Sequence, residues 1–106
     1  MTETEFLDLA KVVWEEIESR VDHWSEADDA DIESMQLGPV LELEFPSGRK
    51  LVINQQTPMR QIWLASPRGA FHFSWNGSAW QDTRQGLDFW AVLTEQASLE
   101  FGRTLR

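Results

Sequence analysis

Two hydrophobic periods divide the chain. From residue 3 to residue 24, Phe6, Ala10, Val13, Ile17, Val21 and Trp24 recur every three or four positions, which places them on one stripe of an α-helix. Asp8, Lys11, Glu15, Glu18 and Asp22 fall on nearly the opposite stripe, so the helix is amphipathic with a charged ridge toward water. Ser25 to Ala30 is a polar, acidic connection, and after it the period drops from 3.6 to 2. Asp31 to Leu37 is a weak strand candidate closed by the turn signal Gly38-Pro39. Leu41, Leu43 and Phe45 alternate with Glu42 and Glu44, the pattern of a strand with one wet face. Pro46-Ser47-Gly48 turns the chain into a strand over Lys50 to Gln56, which Pro58 breaks. Gln61 to Ser66 and Ala70 to Trp75 follow, joined at Pro67-Arg68-Gly69. Asn76-Gly77 is the strongest hairpin signal in the chain and leads to a last strand at Ala79 to Thr83. A second helix is predicted from about Leu87 to Phe101, with Trp90, Leu93, Ala97 and Phe101 as its apolar stripe and Asp88 in its first turn.

The order helix, six strands, helix, with short turns throughout, implies an antiparallel meander. Both helices must then cover one face of it. The predicted fold is α+β: a two-layer sandwich of two helices packed on one face of an antiparallel sheet of about six strands (α-β6-α), in a single domain over residues 1–106. The uncovered face would carry Asn54, Gln56, Trp63, His72 and Gln81, among which Trp63 is the odd member.

Charge changes this picture. Residues 1–44 hold 14 acids and 2 bases, whereas residues 45–106 hold 4 acids and 7 bases. Between Glu15 and Glu33 nine carboxylates face a single base, Arg20. Glu15, Glu18 and Asp22 follow one another at helical-neighbour spacing, where like charges repel, and they lie toward the negative end of the helix dipole. A chain selected only for stability would place lysines there. The imbalance argues against nucleic acid or an anionic membrane as partner, and for cations or a basic protein surface.

With no cysteine, thiolate metal sites and cysteine nucleophiles are excluded, leaving oxygen and imidazole ligands. The acidic N-terminus is the wrong charge for a signal or transit peptide, and no apolar run is long enough for a membrane span, so a soluble cytoplasmic protein is expected. There is no nucleophile elbow and no phosphate-binding glycine loop, and a solvated ridge cannot separate the pKa values of paired carboxylates, so no enzyme is expected. An EF-hand over Asp29, Asp31 and Glu33 fails, because Ser34 stands where the turn glycine is needed and Val40 where the bidentate Glu belongs.

The run from Val52 to Pro67, with Asn54, Gln56, Pro58, Gln61, Ile62, Trp63 and Leu64 in the pattern N-x-Q-x-P-x-x-Q-[IV]-W-L, follows an acidic first helix and leads to Trp80 and to Phe89-Trp90. In this the chain resembles the frataxin family, specifically its bacterial branch, over nearly its whole length. The resemblance implies the same helix, sheet, helix sandwich. It implies an iron-binding accessory and regulator of iron–sulfur cluster assembly that docks on the cysteine desulfurase complex and its scaffold protein, as a monomer. By the same resemblance Glu15, Glu18, Asp22, Asp28, Asp29, Asp31 and Glu33 are the metal-binding and docking ridge, thinned in its middle by Ser19, His23 and Ser25. Asn54, Gln56, Gln61 and Trp63 are the matching partner surface on the sheet, and Trp suits an interface anchor. Carboxylates one helical turn apart can chelate Fe2+ or Fe3+ in pairs, weakly and with little selectivity against Mn2+, Co2+ and Ca2+. The alternatives are an iron-storage or ferroxidase-type protein, and an acidic domain with no metal response.

Overall fold

The computed structural model describes residues 1–106. Helix α1 runs Glu3–Ala27. Its start is set by a capping box: the Thr2 hydroxyl accepts from the Glu5 N–H, and the Glu5 carboxylate accepts from the Thr2 N–H. That backbone donor holds the Glu5 carboxyl below its usual pKa. The stripe read from the sequence is the buried one, with Trp14 added at its margin. The helix is three residues longer than its periodicity indicates, since Ser25, Glu26 and Ala27 continue it without any base in the last turn.

Six strands follow in one antiparallel sheet whose spatial order equals the sequence order: β1 Glu33–Leu37, β2 Val40–Glu44, β3 Lys50–Gln56, β4 Gln61–Ser66, β5 Gly69–Trp75 and β6 Trp80–Asp82. A 3-10 turn, Thr57–Met59, lies between β3 and β4, and helix α2, Phe89–Phe101, closes the fold. The inward alternation is the predicted one. Leu41, Leu43, Leu51, Ile53, Ile62, Leu64 and Phe73 are fully buried beneath Phe6, Ile17 and Trp24 of α1 and Phe89 and Leu93 of α2, in one cluster. Each such side chain taken from water stabilises by about 1.5–3 kcal/mol, which fixes the register of every strand.

Four details depart from the sequence pattern. β1 begins at Glu33 rather than Asp31, because Ala30 and Ile32 are drawn into the core and Asp29 adopts the left-handed conformation at φ 55°. The Asn76-Gly77 signal opens a four-residue turn instead of a two-residue one: Trp75 pairs with Trp80, and the Asn76 side-chain carbonyl accepts from the N–H groups of Ser78 and Ala79. α2 starts at Phe89, with Asp88 as its N-cap accepting from Trp90 and Ala91. Its buried stripe is rotated to Phe89, Val92, Leu93, Gln96, Ala97 and Glu100, leaving Trp90 and Phe101 half-buried at the flank. Two polar residues can occupy that stripe because the β4–β5 turn satisfies them. Arg68 pairs with Glu100 at 2.7 Å and donates to Gln96 Oε1 at 3.0 Å, and Ser66 Oγ donates to the same oxygen at 2.8 Å.

Candidate functional site

Helix α1 carries Glu15, Glu18 and Asp22, all exposed, as its periodicity requires. Asp28, Asp29, Asp31 and Glu33 continue from the helix end through the tied-down connection to the first residue of the edge strand β1. The connection holds its shape because the Asp28 and Ala30 N–H groups both donate to Trp24 O, at 3.0 and 3.2 Å, and the Ser25 hydroxyl donates to Ala30 O. Arg103 from the C-terminus also donates to the Asp28 carbonyl, leaving the Asp28 carboxylate uninvolved. The seven predicted acids thus follow the chain from α1 to the start of β1, six of them exposed and Asp28 half-buried; Glu15, Glu18 and Asp22 share the helix surface, whereas Glu33 lies on the open side of the sheet.

None of the seven carboxylates is in an ion pair or accepts a hydrogen bond from the protein. The three ion pairs are Arg20 with Glu16, Lys50 with Glu42 and Arg68 with Glu100. Arg20, the one base within the acidic stretch, turns away from the ridge: its guanidinium meets Glu16 at 3.0 Å and lies over the Trp90 ring at 4.5 Å. Glu15, Glu18 and Asp22 line an open depression together with Trp14, Ser19 and Gln36 of β1. No three His, Asp or Glu side chains converge closely enough to hold one ion. The donor set suits a hard cation held by pairs of carboxylates and water, and it is not a cage. Gln36 and Trp14 were not singled out from sequence; Gln36 reaches the ridge only because β1 packs beside α1.

On the open face of the sheet, Asn54, Trp63 and His72 form a row across β3, β4 and β5, in direct register. The Trp63 and His72 rings stack at 4.1 Å with planes 10° apart. Gln56, Gln61 and Ser74 form the next row. Gln61 does not stand free, for its Oε1 accepts from Trp63 Nε1 at 2.8 Å. The predicted partner surface is therefore a single half-buried patch with Trp63 held flat by its neighbours. His72 belongs to it, a placement that register across the Pro67-Arg68 turn makes visible.

Comparison with known proteins places the whole chain. The family model described as a frataxin-like domain matches residues 1–103. The chain belongs to the frataxin-like family. A relative from Cupriavidus metallidurans, named an iron-sulfur cluster assembly protein CyaY, is 41% identical over 105 residues, covering 99% of this chain and 95% of the relative. The structure of frataxin from Psychromonas ingrahamii, a CyaY-family protein, superposes with a TM-score of 0.83 at 31% identity, covering 99% of this chain and 96% of that one. Trimeric frataxin from the yeast Saccharomyces cerevisiae, complexed with ferrous iron, superposes with a TM-score of 0.73 at 29% identity over 89% and 86% of the two chains. The two-helix, six-strand architecture of this chain is thus the frataxin fold. No helix in this family member is long and apolar enough to cross a membrane.

Proposed function

We propose that this frataxin-like protein serves iron–sulfur cluster assembly as a non-catalytic accessory and regulator. Its acidic ridge docks on a basic surface of the cysteine desulfurase complex, with iron as a weakly held cargo that modulates the contact. The observation that carries this reading is the complete absence of internal partners for Glu15, Glu18, Asp22, Asp28, Asp29, Asp31 and Glu33. Unpaired like charges raise the energy of the folded chain, and an external cation or basic surface relieves them. The names of the relatives support the pathway. The exposure of Glu15, Glu18 and Asp22 at helical-neighbour spacing supports iron that exchanges with water and with other divalent ions, Fe2+ or Fe3+ being bound from outside by two carboxylates at a time. Trp63, Asn54, Gln56 and Gln61 form the second contact, to the scaffold protein, where a stacked and hydrogen-bonded indole costs little entropy to immobilise.

The test is a binding titration against the desulfurase with Glu18→Lys/Asp22→Lys. Wild type is expected to bind with an affinity that falls steeply with salt, and the variant to lose binding while keeping its fold. Unchanged affinity in the variant overturns the docking reading. Paramagnetic broadening by Fe2+ confined to the ridge amides would support the iron contact, and broadening spread evenly over the surface would remove it. Catalysed Fe2+ oxidation above a buffer control would instead favour the ferroxidase alternative.

A further inference from the structure

The two edges of the sheet are treated differently. β6 is three residues long, and Gln81 forms a further bridge to Asp88 that covers its outer side. β1 has no strand beyond it, and all five of its residues are exposed. Protein edges are ordinarily blunted by lysine, proline or a bulge. β1 instead sets Met35 and Leu37, 56% and 65% exposed, at alternate positions along an open edge.

Register determines what an incoming strand would meet. Glu33, Met35 and Leu37 share a face with Glu44, Glu42 and Val40, toward the open side, while Ser34 and Gln36 share the helix side with Leu43 and Leu41. Leu37 and Val40 close a two-residue turn, so residues 37, 35 and 33 exchange ladder bonds with β2, and the backbone groups of Ser34 and Gln36 point outward. Alongside, on the helix side, runs the depression of about 510 Å3 walled by Trp14, Glu15, Glu18, Ser19, Asp22 and Gln36. Trp14 of that wall is 5% exposed, and its Nε1–H finds no acceptor in the protein.

We infer that β1 takes up an extended segment of a cationic protein partner as an added strand, and that the segment alternates basic and apolar side chains. Its residues on the helix side lie over the depression and meet Glu15, Glu18 and Asp22. Those on the open side extend the apolar strip of Met35 and Leu37. Main-chain bonds to Ser34 and Gln36 supply affinity, and the alternation supplies specificity. A second copy of this chain is a poor occupant, because pairing β1 with β1 would bring two unpaired acidic ridges together. This inference rests on the ridge being a docking surface, and adds to it a backbone geometry and a sequence pattern for the partner.

Two peptides of identical composition test it, one alternating lysine and valine, the other with the lysines and valines in separate blocks. Each is titrated at low salt into the full chain and followed by amide NMR. The alternating peptide is expected to bind at least about tenfold more tightly. Its binding should slow hydrogen exchange at the Ser34 and Gln36 amides. Methylating the peptide nitrogens that face β1 should abolish the difference without any change to the protein. Equal binding of the two peptides, or protection elsewhere than β1, overturns the added strand yet leaves ridge docking standing. Binding of neither peptide overturns both.

Discussion

Replacing Glu18 by Lys should make the protein more stable while weakening the docking proposed for the ridge. Glu18 sits between Glu15 and Asp22 on the exposed face of α1, and none of the three has a counter-charge within the chain. At about 7 Å in water two unit charges interact by roughly 0.6 kcal/mol, and a Debye length of about 8 Å reduces this to roughly 0.25. That agrees with the roughly 0.2–0.5 kcal/mol typical of helix neighbours. The substitution removes two repulsions and creates two attractions, so four such terms give about 1 kcal/mol, or about 4–8 °C in Tm for a domain of this size. Urea denaturation at about 0.15 M salt reads this gain directly, and at lower salt the gain should be larger. In about 1 M NaCl, where the Debye length is about 3 Å, most of the gain should vanish. A variant no more stable than wild type at low salt would refute the reasoning, because it would mean the ridge is not under electrostatic strain. The same variant should lose most of its affinity for a basic partner, so stability and docking move in opposite directions at one residue.

Three further outcomes follow from other contacts. Arg68→Ala strands Glu100, whose side chain is 1% exposed, and removes a donor from Gln96; because Arg68 itself is 36% exposed, a loss of about 2–3 kcal/mol is expected in denaturant titration, below the full cost of breaking a buried pair. Asp82→Asn tests the turn before α2: burial pushes the Asp82 carboxyl up, but N–H bonds from Leu87, Arg84 and Gln85 outweigh it and hold its pKa below 3.8. The stability it contributes is therefore complete above 3.8 and lost as pH falls through the lowered value, so wild type should exceed the variant at neutral pH and converge with it in acid. Trp63→Ala removes a stack worth about 0.5–1.5 kcal/mol on the open face; the fold should survive by circular dichroism, while binding of the scaffold protein should fall at least about tenfold.

The hydrophobic periods were enough to predict the elements, their order and the covered face, because burial of Leu41, Leu43, Leu51, Ile53, Ile62 and Leu64 depends on alternation that a chain displays along its own length. The prediction of the α2 stripe missed where it did for a reason of the same kind. Gln96 and Glu100 look solvent-facing by composition, and only the Arg68 turn, nearly thirty residues earlier in the chain, makes them suitable for burial.

The surplus of acid over base in residues 1–44 was plain from the residues themselves. Whether that surplus was free or internally neutralised was a tertiary question, since an arginine reaches whichever acid the fold brings near it. The fold sends Arg20 to Glu16 and Trp90, spends Arg68 on Glu100 and points Arg103 at a backbone carbonyl. It also sets Gln36 and Trp14 beside Glu15, Glu18 and Asp22, and leaves the outer edge of β1 without a partner strand. Local pattern determined where the charges are, and packing between distant segments decided that they stay available.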